Sequence, residues 1–186
     1  MKHLILGLAL LAAPASAGTV AIEAYEQGGA VVFSGSGSID ITGLGPASSF
    51  TASSDDGRSQ SNLVSGLPAG THASFSTLVF PFQPLNGGSF TFDVAGDPFF
   101  FQSNGPNGNG YVSVESGYAS GDPIDFTWTA TRQTLSGLDL NFGTLAAFGG
   151  NTVTLSEGAP PVPLQAASWL LLAGAGVLWG LRRQRG

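Results

Sequence analysis

Apolar and polar side chains alternate with a period of two through much of this chain. The clearest example is residues 30–43, AVVFSGSGSIDITG, where Val31, Phe33 and Ile39 share one parity while Ser, Asp and Thr, apart from Ala30 and Val32, occupy the other. Successive side chains of a β-strand point to opposite faces of a sheet, so the pattern predicts a strand with one buried and one exposed face. No helical periodicity precedes residue 160, which favours an all-β fold.

Several more segments carry the same alternation, and turn-forming sequences such as EQGG, LNGG and AFGGN separate them. Roughly nine short strands joined by short turns predict an antiparallel β-sandwich with an apolar interior and a Ser- and Thr-coated exterior. A jelly roll or a barrel fits the same pattern. The further predicted strands are residues 19–25, 48–52, 73–80, 88–96, 111–115, 122–133, 138–142 and 152–156. The most polar segment, residues 49–62, is predicted to contain a long loop.

The charge distribution excludes nucleic acid as a partner of the β region. All twelve acidic residues lie between Glu23 and Glu157, and Arg58 and Arg132 are the only basic residues there, a formal net charge near −10. Nucleic-acid binding needs clustered Lys and Arg at phosphates, so this surface repels it. The chain has no cysteine, so the domain must be stabilised by its apolar core without disulfides.

The N-terminus, MKHLILGLALLAAPASAG, is typical of a secretory signal peptide. A short basic start precedes an apolar run over residues 4–13, and small residues at Ala15 and Ala17 match the pattern that signal peptidases cleave. We predict that residues 1–17 are removed and that Gly18 begins an exported domain extending to residue 158.

The C-terminal segment, residues 159–186, is predicted to contain one short transmembrane helix. Residues 166–181 carry no charge, and as a helix they span roughly 24 Å, a little less than a typical hydrocarbon core. Trp169 and Trp179 lie near the two ends, where indole rings favour the membrane interface.

Three arginines close the chain and predict its orientation in the membrane. Arg182, Arg183 and Arg185 make up half of the six basic residues. Basic clusters remain on the cytoplasmic side, so the helix would anchor the domain in the inner membrane with the domain outside the cytoplasm.

The tail as a whole resembles the PEP-CTERM sorting signal of Gram-negative bacteria, and most closely its VPLPA-type variant. That signal combines a short proline motif, a transmembrane helix and an Arg-rich end. Gln165 departs from the variant, which usually has proline there. The residues that match the motif are Val162, Pro163, Leu164, Gln165 and Ala166, followed by the apolar run and RRQR at residues 182–185.

The resemblance implies a membrane protease of the exosortase type as the partner that cuts near the motif. Pro161 and Pro163 keep this segment out of a helix, and a protease binds its substrate as an extended backbone. Family members reach the cell surface or the extracellular medium and often accompany exopolysaccharide production, which implies extracellular polysaccharide as a further partner. The expected function is therefore an exported surface or matrix protein.

Residue types needed for catalysis are scarce. After residues 1–17 are removed, His72 is the only histidine, there is no cysteine, and no G-x-S-x-G motif occurs. A zinc site needs several His or Cys ligands. We therefore predict no enzymatic activity, no cofactor and no metal centre; a hydrolase would need two carboxylates about 5–9 Å apart.

Calcium binding is a less favoured alternative. Asp55-Asp56-Gly57 and the pair Asp93 and Asp97 are oxygen-rich, and calcium takes oxygen ligands. Neither segment matches the EF-hand spacing. Turn-forming carboxylates on a solvated surface are the favoured interpretation.

A second alternative is a carbohydrate-binding module acting on exopolysaccharide. Residues 99–101 are three phenylalanines followed by an Asn-rich loop, and strand alternation points Phe100 away from a core that holds its neighbours. Aromatic rings beside such loops can stack on sugars, whereas a buried edge strand is the favoured interpretation. The candidate ligand surface comprises Phe100, Asn104, Asn107 and Asn109.

Overall fold

A computed structural model of the protein describes residues 18–104 and 108–160. Several predicted features lie outside the described residues. They are the signal peptide, the sorting motif of residues 162–166, the apolar segment, the three terminal arginines and Asn107. Within these two ranges, no helix has both the length and the apolar character needed to cross a membrane.

The described residues form strands and one short helix. In chain order these are β1 (Thr19–Gln27), β2 (Ala30–Gly37), β3 (Ala47–Ala52), β4 (Asp56–Gln60), β5 (Leu63–Leu67), β6 (Gly70–Leu78), β7 (Phe90–Thr91), β8 (Asp93–Gly96), β9 (Phe99–Ser103), β10 (Asn109–Glu115), β11 (Ile124–Thr131), α1 (Leu135–Leu138), β12 (Gly143–Phe148) and β13 (Asn151–Glu157).

The strands make two sheets, and the predicted all-β class is confirmed. A six-stranded sheet has the order β12-β13-β1-β2-β11-β8, and a seven-stranded sheet has the order β3-β6-β10-β9-β5-β4-β7. The sheets face each other across one apolar core, as in a β-sandwich. Almost all strand pairs within them are antiparallel.

Aromatic rings from both sheets stack at the centre of the core. The rings of Phe126 and Trp128 on β11 have centroids 4.2 Å apart, and Phe99 of the opposite sheet stacks on Phe126 at 5.7 Å. Gly66 of β5 lies so close to Trp128 that a Cβ there would overlap the indole. Aromatic pairs contribute about 0.5–1.5 kcal/mol beyond their burial, so these contacts help to hold the two sheets together.

The first and last strands pair in parallel, with Thr19 opposite Thr152. This pair is an exception to the predicted antiparallel arrangement. The buried Asn151 reinforces it, because its Oδ1 accepts hydrogen bonds from the amides of Gly18 at 3.1 Å and Asp40 at 2.7 Å. Since β1 lies between β13 and β2, the sheet is complete only when residues 151–157 are in place.

Much of the polar segment 49–62 is strand, so the predicted long loop is wrong. β3 continues to Ala52, and β4 follows after a short turn. Ser59 of β4 points into the interior and is fully buried, and its Oγ accepts a hydrogen bond from the amide of Leu85 at 3.0 Å. A backbone donor thus satisfies a polar side chain where the alternation rule expects an apolar one.

Residues 88–96 alternate as predicted, but they form two short strands. β7 pairs with β4 in the seven-stranded sheet, while β8 pairs with β11 in the six-stranded sheet. Phe92 lies at the break, and its amide donates to the carbonyl of Gly57 at 2.9 Å. The chain therefore crosses between the sheets here.

The strand predicted over residues 138–142 is wrong. Thr134 instead caps helix α1, its Oγ1 accepting from the amide of Gly137 at 3.1 Å. Asp139 ends the helix in the left-handed conformation, with φ of 49°. β12 begins only at Gly143.

Residues 79–86 cover one edge of the six-stranded sheet. The amide of Phe80 donates to the carbonyl of Ala147 at 2.9 Å, and the amide of Gln83 donates to that of Leu145 at 2.6 Å. Leu85 is then fully buried in the core. The outer edge of β12 is therefore occupied by this segment, which we call the strap.

Candidate functional site

The outer face of the seven-stranded sheet carries the described part of the predicted ligand surface. Phe99 and Phe101 point inward and are fully buried, while Phe100 between them points outward and is half-buried. Phe100 lies opposite Ser113 of β10 on one side and Ser65 of β5 on the other. The pleat of a central strand therefore orients this aromatic ring, since β9 lies between β10 and β5.

Asn104 and Asn109 border one open groove of about 450 Å³ at the end of this face. We call it the amide groove. Tyr111 and Leu78, which the sequence did not single out, form its apolar part and are 43% and 61% exposed. Its remaining lining comes from Ser76, Thr77 and Gly110.

Strand register brings these side chains together. Asn109 lies opposite Leu78, and Tyr111 lies between Ser76 of β6 and Gln102 of β9. The side chain of Gln102 donates to the Oδ1 of Asn104 at 2.6 Å, which holds that amide at the rim. The sequence could have identified Tyr111, because strand alternation places it on the face opposite to the buried Val112 and Val114.

The amide groove presents polar groups that are free to bind. Within the two described ranges, the side-chain amide of Asn109 and the hydroxyl of Tyr111 have no hydrogen-bonding partner. The described residues that line the groove carry no charge. Uncharged donors and acceptors around an exposed aromatic ring suit a neutral, hydroxyl-rich ligand.

His72 lies on the same outer face, but its surroundings do not suit general-base catalysis. It is only 3% exposed, and its Nε2 lies 2.9 Å from the carbonyl of Pro68, a geometry in which Nε2–H donates. Its ring packs 5.4 Å from that of Phe50. Among the described residues, no Ser hydroxyl or carboxylate forms a hydrogen bond to His72.

Three of the four carboxylates considered for calcium have structural partners. Asp56 pairs with the Nε of Arg58 at 3.0 Å and accepts from the Oγ of Ser65 at 2.9 Å. Asp55 accepts from the amide of Ala69 at 2.8 Å, and Asp97 accepts from that of Asp125 at 2.8 Å. Over residues 18–104 and 108–160, no three His, Cys, Asp or Glu side chains are grouped to hold a metal ion.

Two polar groups with shifted pKa values hold loops at one end of the six-stranded sheet. The pKa of Asp40 is lowered from 3.8 because its carboxylate accepts from the hydroxyl and amide of Thr42 and from Ser120. Burial raises the pKa of Tyr118, whose hydroxyl lies 2.9 Å from the amide of Ile39. These contacts are structural, since both groups lie outside the amide groove.

The amide groove thus combines two residues of the predicted ligand surface with an exposed aromatic ring. Comparisons of the chain with protein-family models, with curated proteins and with solved structures found no match. Its function therefore has to be inferred from its own residues.

Proposed function

We propose that this protein is an exported surface or extracellular-matrix protein that an exosortase-type protease processes through its C-terminal tail. The single observation that carries the proposal is the order of the proline motif at 162–166, the uncharged run to 181 and the arginines at 182–185. The protein would first be anchored in the inner membrane and then reach the cell surface or the medium. The β domain would lie outside the cytoplasm throughout.

The position where the domain ends is compatible with this processing. β13 ends at Glu157, and the amide of Gly158 still donates to the carbonyl of Ala24 at 2.9 Å. Ala159 and Pro160 are exposed, and the motif begins at Val162. A cut within the motif would therefore remove none of the described strands, and the released domain would keep all six strands of that sheet.

Mass spectrometry of the surface protein tests the processing. We expect a mature chain that begins at Gly18 and ends near residues 162–166. Replacing Arg182, Arg183 and Arg185 by Ala should mislocalise the protein, and changing Val162 and Pro163 should leave the uncut form in membranes. Arg132→Ala, an exposed arginine outside the tail, is the control. An unchanged mature mass and location in both tail variants would refute the proposal.

For the domain itself, the amide groove favours a second function, the binding of a neutral polysaccharide. Tyr111 offers an exposed aromatic face for stacking on a sugar ring, and Asn104 and Asn109 offer amides to its hydroxyls. The strongly acidic domain would repel acidic glycans. Phe100 lies on the same face, about 7 Å along β9 from Gln102, and would extend the contact.

Binding to a panel of neutral and acidic glycans tests this function. Tyr111→Ala should weaken binding about tenfold, the loss of one stacking contact, and Asn109→Ala and Phe100→Ala should also weaken it. Phe142→Ala removes an aromatic ring that is 47% exposed outside the groove and should leave binding unchanged. Absence of binding to every glycan, or equal loss in the Phe142 variant, would exclude the function.

A further inference from the structure

The outer edges of the two sheets differ in how they are protected against pairing with another strand. In the described part of the chain, the six-stranded sheet ends at β12, which the strap covers, and at β8, which has four residues. The seven-stranded sheet ends at β7, which has two residues, and at β3, which has six. β3 is thus the longest edge that no described segment covers.

β3 lacks the features that normally protect such an edge. Its sequence is ASSFTA, with no charge and no proline, and its pairing with β6 runs without a bulge from Ala47 opposite Phe75 to Ala52 opposite Gly70. Edge strands of monomeric proteins usually carry lysine, proline or a bulge, because free backbone N–H and C=O groups invite another strand.

Both faces of β3 are open to a partner. Ser49 and Thr51, whose parity points toward the interior, are exposed, and so are Ser48 and Phe50 on the opposite face. Described residues therefore leave the inner face of β3 uncovered. A second strand could align beside it without displacing any described residue.

We propose that β3 pairs in antiparallel fashion with β3 of a second copy of this protein, across a twofold axis. The two seven-stranded sheets would then continue into each other. A twofold axis perpendicular to the strands relates two copies of β3 in antiparallel orientation. The same edge of each copy therefore supplies both sides of the interface. Phe50 is 39% exposed, and the two copies of this ring would come close together on the outer face.

The uncharged β3 edge is a place where two acidic copies can meet with little repulsion. The β region carries a formal net charge near −10, so most contacts between two copies are repulsive. β3 is uncharged, and its small side chains allow two backbones to approach within hydrogen-bonding distance. Six paired residues bury less than about 1,000 Å², so the dimer is weak and depends on concentration.

Analytical ultracentrifugation tests the proposal on the purified protein in whichever processed form cells yield. We expect the mass to rise from one chain to two between about 1 µM and 1 mM, the range of weak interfaces. Added salt should strengthen the dimer by screening repulsion between the acidic domains. A protein that remains monomeric throughout this range would overturn the proposal.

Two sets of variants separate the edge from other contacts. Ser49→Lys should abolish the dimer, whereas Ser36→Lys, an exposed position on β2 in the centre of the other sheet, should leave it intact. Circular dichroism checks that both variants fold. The chain has no cysteine, so single Cys substitutions at Ser48, Ser49 and Phe50 give a second measurement. At least one of these three variants should form a disulfide-linked dimer, and Ser36→Cys should not. Pairing through β3 would be refuted by a dimer that persists in Ser49→Lys. It would also be refuted if none of the three Cys variants forms a cross-link.

Discussion

The outer faces of the two sheets obey the same alternation but carry different side chains. On the six-stranded sheet, β2 and β11 present Ser34, Ser36, Thr127 and Thr129, hydroxyl groups that water can solvate, beside one buried apolar pair, Tyr25 and Val32. On the seven-stranded sheet, more of the outward positions hold large apolar side chains, and several small polar residues are buried beside them. The apolar members of that outer face include Phe50, Leu63, Leu67, Phe100 and Tyr111.

This difference shows that the core is not the only apolar part of the molecule. Leu63 and Leu67 are buried although they belong to the outer face and not to the central core. Ser65 and Ser113 are fully buried between larger neighbours on the same face. A sheet face with this composition is suited to contact, whereas the Ser- and Thr-coated face is suited to solvent.

The largest expected effect comes from removing an apolar side chain of the seven-stranded sheet's outer face. Leu67 is 4% exposed, so Leu67→Ala should lower the free energy of unfolding by about 2–3 kcal/mol, as a core substitution would. Leu78→Ala on the same sheet and Thr127→Ala on the other face should each change it by less than about 0.5 kcal/mol. Urea denaturation measures the free energy of unfolding of the three variants. Equal losses in all three would contradict the distinction between the two faces.

A smaller effect is expected at Ser113. Its Oγ is buried and, among the described residues, has no hydrogen-bonding partner, so the residue bears a desolvation penalty. Ser113→Ala should raise the free energy of unfolding by about 1 kcal/mol. The matched change Ser36→Ala, at an exposed hydroxyl, should be close to neutral. Loss of stability in the Ser113 variant would mean that the hydroxyl makes a contact essential to the fold.

The smallest effect concerns the loop that follows β2 in the six-stranded sheet. Because the folded pKa of Asp40 is lowered from 3.8, its ionised form stabilises the fold above the unfolded pKa, and this stabilisation is lost as pH falls through the folded pKa. Asp40→Asn should therefore be less stable than the natural protein at pH 7, and the two should converge as pH falls below the folded pKa of Asp40. Thermal unfolding across this pH range measures the difference. A constant difference would show that the carboxylate charge has no role.

Alternation predicted the strands that bury one face against the core. β1, β2, β6, β10, β11 and β13 all overlap predicted segments, because Val, Ile, Phe and Trp recur in them at every second residue. β4 and β5 were missed, since Ser59 and Gly66 occupy inward positions where the rule expects apolar side chains. β12 was missed because a bulge between Thr144 and Ala146 breaks its period.

The candidate site was only partly predictable. Phe100, Asn104 and Asn109 were identified from an aromatic run beside an Asn-rich loop. Tyr111 and Leu78 lie on other segments, and their closeness to the amides depends on how β6, β10 and β9 align. The local sequence contains no marker for that alignment.

The sequence by itself determined the all-β class and the acidic, cysteine-free composition, and it alone underlies the prediction of a sorting signal in the tail. These follow from side-chain periodicity, charge and residue order, which are local properties. Only the tertiary structure decided that β1 and β13 pair in parallel, that residues 88–96 divide between two sheets, and that β3 is an uncovered edge. Backbone donors and acceptors are the same at nearly every residue, so the choice of partner strand depends on contacts between distant segments.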